Sequence, residues 1–214
     1  MKKVNFYIDG FNIYHAINNM SDNKLKWLDY SLLCGELLKY NEKINKIYYF
    51  SALYKNKEKK NRHNIFIKAL KSKNIKVVLG NFKKRTKKWR IDKKYLGKYN
   101  INKNLYLSIT NFEEKESDVN LAIYLVRDAI NNDMDKAIVF SGDSDFIPAV
   151  KMAKSENTSL KIGVVMPKNT KANKLTEVYD FYEKLSKFNL YNCTFPNEIL
   201  LNNGSKITCP KEWQ

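Results

Sequence analysis

Lys136-Ala137-Ile138-Val139-Phe140-Ser141-Gly142-Asp143-Ser144-Asp145 is the stretch on which the fold turns. Ala137 to Phe140 form a short unbroken apolar run with β-branched members, which predicts a strand buried on both faces. Ser141 to Ser144 turn the chain, and a helical pattern resumes at Phe146, with Pro148 tolerable in the first turn. Acids at the carboxyl end of a core strand stand where open α/β sheets keep their sites. The chain has a second such place near its start, where Val4-Asn5-Phe6-Tyr7-Ile8 runs into Asp9-Gly10-Phe11-Asn12.

Working outward, residues 44–51, 75–79 and 160–165 carry the same strand signature. Helical spacing appears between the strands: at 12–18, at 29–40 behind Asp29, at 61–72, and at 117–131 behind Ser117 as cap. The apolar face expected for the helix at 117–131 is Val119, Ala122, Ile123, Val126 and Ile130. A last helix is expected over 176–188. This alternation predicts an α/β three-layer sandwich on a mostly parallel five-stranded sheet. Right-handed crossovers favour strand order 3-2-1-4-5. In that order strands one and four are neighbours, and a crevice opens at their carboxyl ends. Residues 1–199 are expected as one domain, and 200–214 as a loose tail.

The charge is the second signal. The chain carries 39 Lys and Arg against 22 Asp and Glu, a formal net charge of +17. So basic a chain suits a polyanionic partner. The excess peaks between Lys83 and Lys103, where ten basic residues face one acid, Asp92. This segment breaks the strand–helix rhythm, so residues 82–110 read as a basic insertion after strand three, a hairpin or ordered flap. Lys83, Lys84, Arg85, Lys87, Lys88 and Arg90 could hold phosphates there, and Trp89, Tyr95 and Tyr99 could stack on unpaired bases.

Against that background the acids stand out. Asp9 ends strand one, Asp143 and Asp145 end strand four, and Asp118 begins the helix leading to it. Carboxylates gathered in one crevice repel and need a cation. Oxygen ligands without His or Cys suit Mg²⁺ or Mn²⁺. Each acid alone is also what a turn or a helix start would carry; the set at two strand ends favours a metal site. Cys34, Cys193 and Cys209 are scattered, with no CxxC pair, so neither zinc nor a disulfide framework is expected and a reducing cytoplasm fits. No apolar run approaches membrane-spanning length, so no membrane partner is expected. His15 and His63 read as ordinary surface or core residues.

Three segments, Tyr7-Ile8-Asp9-Gly10-Phe11-Asn12-Ile13-Tyr14, Glu114-Lys115-Glu116-Ser117-Asp118-Val119-Asn120-Leu121-Ala122 and Val139-Phe140-Ser141-Gly142-Asp143-Ser144-Asp145-Phe146-Ile147-Pro148, together resemble the motifs of NYN domains. The likeness is to the LabA-like branch of the PIN-like superfamily and covers residues 3–188. It implies a PIN-like (Rossmannoid) sheet and a metal-dependent ribonuclease, expected to cut single-stranded RNA internally. Asp9, Asp118, Asp143 and Asp145 match the family's acidic ligands. Asn12 matches the asparagine that follows the first of them, to be counted with the catalytic set. Ser141 matches the small hydroxyl residue of the fourth-strand motif and Lys115 a common motif lysine, and both are expected to bind substrate. Glu116 departs from the pattern, because many relatives carry glycine there; the site reads as tolerant. A homo-oligomer is left open, as is a non-catalytic RNA-binding module on the same fold. A phosphatase with Asp9 as nucleophile is disfavoured, since Phe11 stands where its second acid belongs.

Overall fold

The computed structural model describes all residues except 21, 91–93, 95–97, 99–105, 169, 171 and 172. Tyr95 and Tyr99 therefore lie outside the described residues. Strand β1 (Lys2–Asp9) runs through the centre and pairs in parallel with β2 (Glu42–Ala52) and β5 (Lys136–Phe140). β3 (Lys76–Arg90) extends the sheet beyond β2, and β6 (Lys161–Met166) extends it beyond β5. These five are the expected strands in the expected order.

Among the described residues the sheet has seven strands rather than five: β4 (Tyr106–Lys115) and β7 (Phe181–Lys184) add to its two edges, giving the order β4-β3-β2-β1-β5-β6-β7. β4 pairs antiparallel with the distal half of β3, so the basic insertion is a β-hairpin growing out of the sheet edge. β7 lies where the last helix was expected. Its position follows from close packing. Phe181 presses on Gly163 of β6, and a β-carbon there would come within 2.1 Å of the ring. Asp180 also accepts from the Ile162 amide at 2.8 Å, which fixes the start of the strand.

Alternation along β1 sends its side chains into two cores. Phe6 and Ile8 pack with Ile13 of α1 (Gly10–Asn18), Leu33 of α2 (Tyr30–Gly35) and Phe66 of α3 (Lys57–Ser72). Tyr7 faces the other way, toward Leu121 and Leu125 of α4 (Ser117–Ile130) and Val150 of α5 (Ile147–Glu156). Helices therefore cover both faces. A short helix α6 (Asn173–Thr176) precedes β7. Among the described residues no helix is long and apolar enough to cross a membrane.

Two further expectations need correction. On α4, Val119, Ile123 and Ile130 are exposed, and the buried face is Leu121, Leu125 and Asp128. Asp128 is wholly buried because it accepts from the Tyr7 hydroxyl at 2.8 Å and from Asn5 Nδ2 at 3.1 Å, beside Arg127. A fully partnered carboxylate tolerates burial, so this helix turns a charged residue inward. The C-terminal residues also pack. β8 (Glu198–Leu200) pairs with β9 (Lys206–Thr208), and Trp213 lies against Trp27 and Phe66 with ring centroids 6.3 and 6.0 Å away. Apolar burial of one large ring outweighs the polar Asn202-Asn203-Gly204 turn that suggested a loose end.

Candidate active site

The site forms where β1 and β5 end side by side. Asp9 caps α1: its Oδ1 accepts from the Asn12 amide at 3.0 Å. Its Oδ2 accepts from the Ser141 hydroxyl at 2.9 Å. The Ser141 oxygen in turn accepts from the Asp143 amide at 3.0 Å. Asn12 reaches back, its Oδ1 accepting from the Gly142 amide at 2.9 Å. Asp143 Oδ1 accepts from the Asp145 amide at 2.9 Å and so caps the short turn at Ser144–Phe146. The two strand ends are thus stitched together by Asn12 and Ser141.

Two glycines make the approach possible. A β-carbon on Gly10 would sit 2.5 Å from the Tyr49 ring and 2.7 Å from the Phe50 carbonyl oxygen. One on Gly142 would sit 2.5 Å from Thr170 Oγ1. Contacts under 3 Å force something to shift; at Gly10 a backbone oxygen cannot, so that position needs hydrogen in place of a side chain, whereas at Gly142 the Thr170 side chain would have to turn away.

The carboxylates feel one another. Burial pushes the Asp9 carboxyl up to about 6; its hydrogen bonds from Asn12 and Ser141 oppose this, and the charges of Asp118 and Asp143 add to it. Asp118, in the first turn of α4, is also raised, by lost hydration first and then by Glu114, Asp143 and Asp145. Asp9, Asp118, Asp143 and Asp145 therefore share one electrostatic field, although they come from three separate segments. Their donor atoms are all hard oxygens, a set that fits Mg²⁺ or Mn²⁺ in kind. In position they stand further apart than expected. Among the described residues no three His, Cys, Asp or Glu side chains are close enough to hold a common ion. The physical reason is plain: like charges separate, and both oxygens of Asp9 are occupied by the Asn12 amide and the Ser141 hydroxyl.

The approach to α4 holds an acid that the sequence did not point to. Glu114 accepts from the Ser117 amide at 3.1 Å and from its hydroxyl, and its charge bears on Asp118. Glu116 instead turns away and accepts from Asn81 Nδ2 at 2.8 Å. It, rather than Ser117, occupies the cap position of α4, with φ of 83°. This is the left-handed region that favours glycine, so the position is not the tolerant one expected.

The hairpin divides its basic residues between two faces. Lys83, Arg85, Lys87 and Trp89 share one, opposite Glu113, Asn111, Ile109 and Leu107. Glu113 gathers Lys87 at 2.5 Å, Lys115 at 3.2 Å and Arg85 at 3.6 Å, so three residues expected to bind substrate hold one carboxylate. Lys84, Lys88 and Arg90 lie on the other face, which continues through Phe82, Phe112 and Glu114 into the body of the protein. Trp89 is exposed, as stacking on a base would require.

Comparison with known proteins agrees with the fold. The family model described as NYN domain matches residues 3–185. The 6-hydroxy-3-succinoylpyridine 3-monooxygenase of Pseudomonas putida is 36% identical over 109 residues. That match takes in 47% of this chain and 33% of the other, so the chain spans about a third of that relative's length. A crystal structure of a Vibrio parahaemolyticus protein of unknown function superposes with a TM-score of 0.53 at 15% identity, covering 86% of this chain and 93% of that one.

Proposed function

Since this chain belongs to the NYN domain family, we propose that it is a metal-dependent ribonuclease that hydrolyses phosphodiester bonds of single-stranded RNA. The observation that carries the reading is the joining of Asp9 and Asp143 through the Ser141 hydroxyl at two adjoining strand ends, with Asp118 of α4 close enough for its charge to bear on Asp9. Asp9, Asp118 and Asp143 would have to draw together from their present spacing to hold Mg²⁺ or Mn²⁺, and Asp145 would hold a second ion or orient the water. Such an ion, when bound, lowers the pKa of a water and neutralises charge on the phosphodiester oxygens.

The protein's own groups do the positioning. The Ser141 hydroxyl sets the separation of Asp9 from the Asp143 backbone by bonding both. Asn12 locks the Gly142 turn against α1. Lys84, Lys88 and Arg90 would draw the RNA backbone along the hairpin, and Trp89 would stack on a base. Lys83, Arg85, Lys87 and Lys115 would act more weakly, three of them through the charge left after Glu113 is offset.

The test is to sequence RNA ends after incubation with Mn²⁺ and either wild-type protein or Asp143→Asn. Defined new ends from the wild type alone support the proposal. Equal cutting by both proteins points to a contaminating nuclease and rejects it. A non-catalytic RNA-binding module is the alternative, favoured by the open spacing of the carboxylates. It predicts RNA binding with no new ends from either protein.

A further inference from the structure

Beside the acidic crevice lies a cavity of about 580 Å³, within the range of small-ligand sites. We propose that it binds a nucleotide, a planar base together with its phosphate, and that this nucleotide belongs to the RNA whose backbone crosses the crevice; the last clause rests on the ribonuclease reading.

Its walls are aromatic. The Tyr54 and Phe82 rings stack at 5.3 Å, and Phe11 meets both edge-on at 5.8 and 5.7 Å. Such faces suit any base, because every base has a π-surface. Among the lining residues is His63, only 8% exposed. Its Nε2 is 3.5 Å from the Ser51 hydroxyl, while Nδ1 has no hydrogen-bond partner. Buried polar atoms are rarely left so. Burial also pushes the ring down to about 4, so it is neutral at ordinary pH and offers one donor and one acceptor nitrogen. The edge of a base offers the complementary groups.

Three cations, Lys26, Lys59 and Arg62, complete the lining. Lys26 is held below its ordinary value by lost hydration and then by the Arg62 charge, so the two cations bear on each other. Arg62 already pairs with Glu212 at 2.7 Å, so an anion entering the cavity would share Arg62 and be met chiefly by Lys26 and Lys59. An uncharged aromatic would leave Lys26 and Lys59 without an anion, and an aliphatic acid would leave the rings unused; a nucleotide uses rings, histidine and these lysines together.

The cavity is also tied to the crevice. Gly10 and Phe11 line it and directly follow Asp9. Glu114 lines it too, and holds Ser117 next to Asp118. Phe82 and Phe112 bring in the hairpin face that carries Lys84, Lys88 and Arg90. A base seated here therefore adjoins both the acidic cluster and the basic hairpin.

The experiment is calorimetric titration of the wild-type protein in EDTA with adenosine and uridine 5′-monophosphates. Adenosine and ribose 5-phosphate serve as half-ligands. Nucleotide binding at least tenfold tighter than either half-ligand is expected, and at least tenfold weaker in Lys59→Gln/Arg62→Gln. His63→Phe, which fills the cavity, is expected to remove it; circular dichroism checks both variants for folding. A short RNA should displace the mononucleotide. No nucleotide binding, or binding unmoved by either folded variant, overturns the site. Simultaneous binding of RNA and mononucleotide overturns its assignment to the RNA chain. Cleavage is not read, so failure here and failure of the ribonuclease proposal are separately visible.

Discussion

Asp9→Asn should stabilise the metal-free protein while removing the proposed ribonuclease activity. The folded-state carboxyl of Asp9 is raised from 3.8 to about 6. A group whose folded pKa lies above its unfolded value opposes folding once it ionises. The penalty is absent below pH 3.8, grows between there and about 6, and is complete above. About two pKa units correspond to roughly 3 kcal/mol. The group is only 5% exposed, so solvent screening removes little of this. Asparagine carries no charge but replaces one acceptor by a donor, and a mismatched hydrogen bond to the Asn12 amide or Ser141 would cost roughly 1 kcal/mol. The net gain is about 2 kcal/mol, or roughly 4–8 °C in Tm for a chain of this size. The assay is thermal denaturation of both proteins in EDTA at pH 4 and pH 8. The variant should melt higher at pH 8, and the advantage should vanish or reverse at pH 4. A variant that melts lower at pH 8 would refute the reasoning, since it would mean the ionised carboxylate is held favourably by its surroundings.

Other outcomes follow from particular contacts. Glu116→Gly should relieve a left-handed backbone costing roughly 1–2 kcal/mol in a residue with a β-carbon, at the expense of one exposed hydrogen bond to Asn81; urea denaturation should show a gain of about 0.5–1 kcal/mol, and a loss would contradict it. Gly10→Ala should destabilise by about 1–3 kcal/mol or more, because its new methyl meets the Tyr49 ring and a backbone oxygen; an unchanged melting curve would count against the packing described. Replacing Lys84, Lys88 and Arg90 by Gln should lower the salt slope of RNA binding by about 2, at about 0.7 per phosphate contact on a single strand. The same change at Lys83, Arg85 and Lys87 should lower it less, because Glu113 already engages two of them; equal effects would refute the division of faces.

Much of the scaffold was legible because its signals are local. Ala137 to Phe140 are wholly buried, as an unbroken apolar run ahead of a Gly-Asp turn implies. The neighbouring of Asp9 and Asp143 follows from handed crossovers, which leave few strand orders. What stayed hidden depends on distant partners. The inward turn of α4 rests on Asp128 meeting Tyr7 and Asn5 more than 120 residues away in sequence. The helical look of 176–188 gave way to a strand because Gly163 leaves room for Phe181. Glu114 reads as one acid in a charged run until β4 delivers it to Ser117. The unpaired nitrogen of His63, read from sequence as an ordinary histidine, is visible only once β2 and α3 enclose it.

The central claim is that Asp9, Asp118 and Asp143 close on one divalent ion. Electron paramagnetic resonance of Mn²⁺ titrated into wild-type protein and into Asp9→Asn, Asp118→Asn and Asp143→Asn tests it without RNA. Saturable binding by the wild type is expected, with at least tenfold weaker binding, about 1.4 kcal/mol, in each variant. Wild-type affinity retained by all three variants, or no saturable binding at all, would contradict it.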